Sequence, residues 1–234
     1  LLSVFHNRRW DGDFLTLAAL IGDGRLGRVV QFESHFDRFR PQVRERWRES
    51  AAPGAGLWYD LGPHLLDQTL QLFGEPAAIQ LTLARVREGA QADDWFHAVL
   101  HPSGDGPHAV LHASALAARA GPRFLVHGTR GSYVKHGLDG QEDLLKNGWR
   151  PRWGETPSPP DPDGELHLAQ VDAAVRIERM PTLPGSYLAY YAAVRAALRE
   201  GGPPPVSPQE AARVMAWIEA GLHSARTGRA CPAA

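Results

Sequence analysis

Between residues 79 and 136 one strand-like run follows another with almost no room between them. IQLTLARV (79–86), DWFHAVLH (94–101), HAVLHASAL (108–116), RFLVHG (123–128) and GSYVKH (131–136) each read as a strand, and PSGDGP (102–107) as a hairpin loop. Gaps this short cannot hold a crossover helix, so the spacing predicts antiparallel pairing and not βαβ units. An earlier run, RVVQFESHFDRF (28–39), alternates with Val30, Phe32, Ser34 and Phe36 on one side and Gln31, Glu33, His35 and Asp37 on the other. That is the pattern of a sheet with one buried face.

The helices are placed by their caps and periodicity. Asp11 is the expected N-cap of a helix carrying Phe14, Leu17, Ala18 and Ile21, ended by Gly22 and Gly24. Near the C-terminus, one helix carries Tyr187, Tyr190, Tyr191, Val194 and Leu198. A second opens on SPQE, with Ser207 as N-cap, Pro208 first in the helix and Glu210 closing a capping box, and its stripe is Ala211, Val214, Ile218 and Leu222. LSVFH (2–6) reads as a short buried strand, 150–164 as a surface loop and 174–179 as a last strand. The expected class is α+β: an open, mainly antiparallel sheet with helices packed on one face, residues 1–234 forming a single domain.

Charge and cysteine usage narrow the partners. A net charge of −1 and a pI near 6.9 give no footprint for nucleic acid or a membrane surface. The arginines between 38 and 48 could still meet an anionic ligand. Cys231 is the only cysteine, so no intrachain disulfide forms, and a cytoplasmic location is expected. No apolar run is long enough for a bilayer. The opening LLSVFHNRRW is not built like a signal peptide and begins without Met, which suggests a chain cut from something longer.

GDGRLG (22–27) spells the glycine pattern of a dinucleotide-binding turn. That motif carries meaning only between a strand and a following helix, where the helix N-terminus meets the pyrophosphate. Here the order is reversed, and the glycines read as a helix end and a turn.

Chemistry concentrates in WYDLGPHLLDQ (58–68). Pro63 suits a first helical turn, with Asp60 just upstream as a cap and Leu66, Leu70 and Phe73 on the buried stripe. Asp60 and His64, four apart, can point into the same space, and His64 and Asp67 share another face. Imidazole changes charge near neutral pH, a carboxylate beside it favours the charged form, and a helix N-terminus favours the neutral one. His64 is therefore the expected proton-transfer group. The plainer alternative makes Asp60 a cap, His64 a surface histidine and Asp67 a solvated acid.

The sequence resembles the C-terminal domain of the Gfo/Idh/MocA oxidoreductases over nearly its whole length. RRWDGDFLTLAALIGDGRLGRVVQFES looks like the segment after the nucleotide domain, YDLGPHLLDQTLQLFG like the signature helix with its Asp-x-x-x-His spacing, HGTRGS like a recurring strand turn, and Tyr187 to Gly228 like the closing helical pair. The resemblance implies a substrate-binding and dimerisation domain of an NAD- or NADP-dependent enzyme, acting on a sugar, polyol or cyclitol or the matching aldehyde or ketone. It implies His64 as general acid/base, with Asp60 positioning His64 or the substrate hydroxyl. Asn7, His35, Tyr59 and Arg119 become expected substrate contacts, Trp58 and Tyr59 a shield, and the loop of Arg46 and Arg48 a lid. A homodimer through the sheet is expected. The family's Rossmann domain and its Glu-Lys-Pro lysine have no counterpart before Leu1. The cofactor site is therefore expected mostly outside this chain, and the chain alone is expected to be inactive.

Two other classes compete. His97, His101, His108 and His112 lie on one hairpin and could converge on a metal ion. Alternatively, the chain is a non-catalytic dimerisation or carbohydrate-binding module.

Overall fold

A computed structural model describes residues 1–153, 155, 161–169 and 174–233. In chain order the elements are α1 (Gly12–Gly22), β1 (Val29–Asp37), α2 (Leu57–Phe73), β2 (Ala78–Ala84), β3 (Trp95–His101), β4 (His108–Ser114), β5 (Phe124–Gly128), β6 (Gly131–Lys135), α3 (Gln141–Lys146), β7 (Gly164–Leu168), β8 (Arg176–Met180), α4 (Tyr187–Glu200) and α5 (Pro208–Thr227). The class is α+β with mainly antiparallel pairing, as expected from the sequence. The chain divides into two compact units, Leu1–Arg28 with Gly128–Ala212, and Val29–His127 with Arg213–Ala234.

In the first unit β6, β7 and β8 pair antiparallel, with Tyr133 opposite Leu166 and Leu166 opposite Glu178. Strand β7 is an addition to the sequence reading, and part of the 150–164 loop lies outside the described residues. Residues 2–6 do not form a strand. Phe5 instead packs its ring among Trp10, Tyr187, Tyr190 and Tyr191, with centroids 4.4–6.3 Å away. Helix α4 buries Tyr187, Tyr190 and Ala197, while Tyr191 and Leu198 of the expected stripe stay exposed.

Asp11 precedes α1, but its side chain caps nothing. It is fully buried, accepting from Arg8 Nη1 at 3.1 Å and from Tyr187 Oη at 2.8 Å. Arg8 is also buried and pairs with Glu142 as well. Burial drives the Asp11 carboxyl upward against the pull of Arg8. The capping box at α5 is formed as read: Ser207 N–H donates to Glu210 Oε2 at 2.8 Å, and Glu210 N–H to Ser207 Oγ at 3.2 Å.

In the second unit the strand order is β2-β3-β4-β1-β5. The hairpin at 102–107 joins β3 to β4 as expected. The pairing of β1 with β4 is parallel, which the reading of short turns did not anticipate. Alternation along β1 holds, with Phe32, Ser34 and Phe36 buried. Helix α2 covers the inner face of these strands. It buries Trp58, Leu61, Leu65 and Leu66, each burial being worth about 1.5–3 kcal/mol. Trp58 stands edge-on to Phe96 at 5.0 Å and donates its indole N–H to the Ile218 carbonyl. Gly62 and Gly221 make this approach possible, since a Cβ at either would press on the Trp58 ring.

Candidate active site

Helix α2 begins earlier than its sequence suggests. Its first residue is Leu57, so Asp60 sits inside the first turn and Pro63 is interior. The start is fixed from a distance by Asp93, whose carbonyl accepts from Leu57 N–H at 2.7 Å and whose carboxylate accepts from Trp58 N–H at 2.7 Å. Asp93, not Asp60, is therefore the cap, and the signal was 35 residues away. Burial nevertheless pushes the Asp93 carboxyl above its ordinary range. Gly56, just before the helix, has φ 108°, and a Cβ there would strike the Asp93 carboxylate. Gly56→Ala is expected to cost about 1–3 kcal/mol in urea unfolding, through backbone strain and loss of this cap.

With its capping role taken by Asp93, the Asp60 carboxylate is available to the cleft beside the helix start. Its charged partner is Arg48, Nε to Oδ1 3.3 Å. The cleft is open to solvent, and the roughly 490 Å³ of space at it includes that solvent. Arg40, Arg46, Arg48 and Arg87 line it together with Asp60. Arg46 and Arg48 thus wall the cleft from the segment read as a lid. The sequence reading missed Asp93, Asp94 and Arg87. Asp94 accepts from Val86 N–H at 2.6 Å and from Arg87 Nε at 2.8 Å, holding the β2–β3 connection against this wall. The adjacent pair Asp93-Asp94 before a strand was the available clue.

His64 is half-buried, one helical turn beyond Asp60 on the same face. It is the eighth residue of α2, so the positive end of the helix no longer acts on it as the sequence suggested, because that field fades within the first turn. Asp67 is buried, not solvated. Beside it, Gln68 Oε1 accepts from Arg123 Nη2 at 2.6 Å, and Arg123 is itself buried against the Phe36 and Phe124 rings. This buried guanidinium, bonded to Ser34 of β1 as well, locks the middle of α2 to the sheet.

Trp58 is core. Tyr59 donates its hydroxyl to Glu219 Oε1 at 2.9 Å and so faces α5. Arg119 is exposed in the loop between β4 and β5, not in a strand, because pairing stops before it. Asn7 belongs to the first unit, in a 3-10 turn, and donates to Tyr187 Oη at 3.2 Å.

His35 stands on the outer face of the second unit's strands, in one row with two further histidines: it pairs with His112, and His112 pairs with His97. Their ring centroids are 5.5 and 5.7 Å apart. Glu33 and Asp37 flank the row, with His35 Nε2 3.3 Å from Glu33 and His112 Nε2 3.5 Å from Asp37. Burial lowers the His97 and His112 imidazoles below their ordinary value, and the charge of His35 adds to this, while Glu33 and Asp37 oppose it. Burial would raise Asp37, but the bonds from His35 and Gly121 N–H leave it below the usual carboxylate range. Unfolded imidazoles bind protons near pH 6.5, so the folded state binds fewer below that point, and stability falls as pH drops through that window. The urea midpoint should therefore decline between about pH 7 and pH 5. A His97→Gln/His112→Gln variant should show a shallower decline, and an equally steep one would remove these imidazoles from the account.

Among the described residues, no group of three or more His, Cys, Asp or Glu side chains is placed to hold a metal ion. On the hairpin His97 and His112 pair directly, and His101 and His108 lie four residues further along, at the hairpin-loop end of the same strands. GDGRLG is no pyrophosphate cradle. Gly22 ends α1, Gly24 and Gly27 turn the chain at φ 66° and 69°, and a Cβ on Gly22 or Gly24 would meet nothing within 4 Å. A helix precedes these glycines and β1 follows them, so no helix N-terminus opens there to meet a pyrophosphate. No helix among them is long and apolar enough to cross a membrane.

Comparison with known proteins places these features. Residues 18–233 match the profile described as "Oxidoreductase family, C-terminal alpha/beta domain". The chain is 54% identical over 230 residues to the oxidoreductase YdgJ of Escherichia coli (strain K12), covering 97% of this chain and 64% of that protein. It is 39% identical over 232 residues to the scyllo-inositol 2-dehydrogenase (NADP(+)) IolW of Bacillus subtilis (strain 168), covering 98% of this chain and 63% of that protein. A solved oxidoreductase structure from Yersinia pestis superposes with a TM-score of 0.92 at 50% identity, covering 99% of this chain and 64% of that one. The chain therefore spans less than two thirds of the length of each of these three relatives. With its fold, its Asp-x-x-x-His helix and these matches in agreement, the chain belongs to the Gfo/Idh/MocA oxidoreductase family and corresponds to that family's C-terminal α/β domain.

Proposed function

We propose that this chain is the substrate-binding part of an oxidoreductase that interconverts a hydroxyl and a carbonyl on a polyol, cyclitol or sugar, with NAD or NADP as the redox partner of the whole protein. The observation that carries this reading is Asp60 on the wall of a charged cleft, with His64 one turn further along the same helix face. The name of the Bacillus relative supports the cyclitol class and the NADP link. In this reading His64 takes the proton from the substrate hydroxyl in oxidation and returns it in reduction, as a group titrating near neutral pH can do in both directions. Asp60 orients the imidazole or the hydroxyl. The test is turnover of the whole protein on a panel of polyols, cyclitols and their ketones with both nucleotides, with and without His64→Ala. Undiminished turnover in the variant would sink the assignment of the acid/base.

A further inference from the structure

The arginine cleft has chemistry that a neutral polyol does not use. Five arginines line it, Arg38, Arg40, Arg46, Arg48 and Arg87, against the four carboxylates Glu49, Asp60, Asp93 and Asp94. Three of the acids are already committed. Asp93 is spent on the N–H groups of the α2 start, Glu49 on Arg46 Nε at 2.6 Å and Arg87 Nη2 at 2.9 Å, and Asp94 on the β2–β3 connection. Arg87 is saturated as well: besides Glu49 and Asp94, its Nη1 donates to the Arg40 and Gln42 carbonyls. It is a structural brace.

Arg40, Arg46 and Arg48 are different. Arg46 and Arg48 each offer only Nε to a carboxylate, at Glu49 and Asp60, which leaves their terminal N–H pairs for another acceptor. The Arg40 guanidinium has no carboxylate partner among the described residues, and its side chain is exposed. Their loop is itself held in place, by Gly56 N–H to the Arg48 carbonyl at 2.9 Å and Arg40 N–H to the Ala115 carbonyl at 2.7 Å. Planar guanidinium forks on a fixed backbone match the paired oxygens of a carboxylate or phosphate.

We propose that Arg40, Arg46 and Arg48 form an oxyanion subsite beside Asp60, so that the ligand is a polyhydroxylated compound carrying a carboxylate or a phosphate. This deepens the proposed function and rests on it: the anion anchors one end of the substrate while its hydroxyls extend along α2 towards His64.

The experiment is a calorimetric titration of this chain at low salt with D-glucose, D-gluconate, glucose 6-phosphate and inorganic phosphate. Gluconate or glucose 6-phosphate should bind about tenfold or more tighter than glucose, the scale of charge-assisted hydrogen bonds. Which of the two binds identifies the anion. An Arg40→Gln/Arg48→Gln variant, with its unfolding midpoint measured to confirm the fold, should bring the favoured acid to the level of glucose. Equal affinity for the acids and glucose overturns the proposal. So does an unchanged affinity in the variant, or inorganic phosphate binding as tightly as glucose 6-phosphate. The two ideas fail separately. If the acids bind like glucose while His64→Ala still abolishes turnover of the whole protein, the subsite is wrong and the oxidoreductase reading stands. If acid binding depends on the arginines but His64→Ala turns over normally, the reverse holds.

Discussion

His64→Ala should lower kcat of the whole protein by about 10²–10⁴-fold, the range set by loss of a positioned proton-transfer group. Nucleotide affinity should be unchanged, because in the proposed reading the imidazole acts on the substrate hydroxyl and not on the cofactor. The loss should appear in kcat more than in KM, since the proton moves in the transition state and not on binding. The pH profile is the discriminating readout: the arm near neutrality should disappear in the variant, whereas a merely structural histidine would lower activity at every pH alike. Asp60→Asn should be milder. The amide can still accept from Arg48 but cannot draw positive charge onto the imidazole, so the same arm should move to lower pH while the helix stays intact.

Asp11→Ala should be the most destabilising single change, at about 3–5 kcal/mol, read as a fall in the urea midpoint. The carboxylate is fully buried and accepts from both Arg8 and Tyr187. Removing it takes one carboxylate away from a buried guanidinium that cannot lose its proton, while the pair with Glu142 persists. It also orphans the Tyr187 hydroxyl on that side and opens a void at the entry to α1. Replacing both partners, Asp11→Leu with Arg8→Leu, should recover part of the loss, because the penalty lies in a buried charge deprived of a carboxylate and not in the missing pair itself. A cost below about 1 kcal/mol for Asp11→Ala would mean that Arg8 reaches water in the variant, and that the network is not the anchor of this unit.

What could be read from the sequence was local. Alternation gave β1 to β6 within a few residues, because each strand with one buried face prints its geometry in its own side chains. The SPQE box gave the start of α5 for the same reason: both partners lie within four residues. The failures share the opposite property. Leu2 to His6 looked like a strand because apolar runs are ambiguous, and only the rings of α4, far along the chain, show that Phe5 joins an aromatic cluster. The α2 start was misplaced because its cap, Asp93, arrives from the β2–β3 connection, beyond the helix and a whole strand. Arg123 passed unnoticed because a buried arginine is identified by its partners, Ser34 and Gln68, which the sequence does not set beside it. At the site, spacing was enough to put Asp60 and His64 on one helix face, but nothing local announced the arginine cleft that Asp60 joins.

The parallel pairing of β1 with β4 also bears on how the molecule assembles. Gln31 meets His108, so closing this pair means gathering a long intervening stretch of chain, and α2 with its aspartate and histidine lies inside that stretch. Loop closure on this scale is paid before the contacts reward it, which slows folding relative to local hairpins. A ribosome-bound chain would reach a state with the β2–β3 hairpin formed and α2 still undocked, waiting for β4 to emerge. The cleft beside α2 is thus among the last features the chain completes.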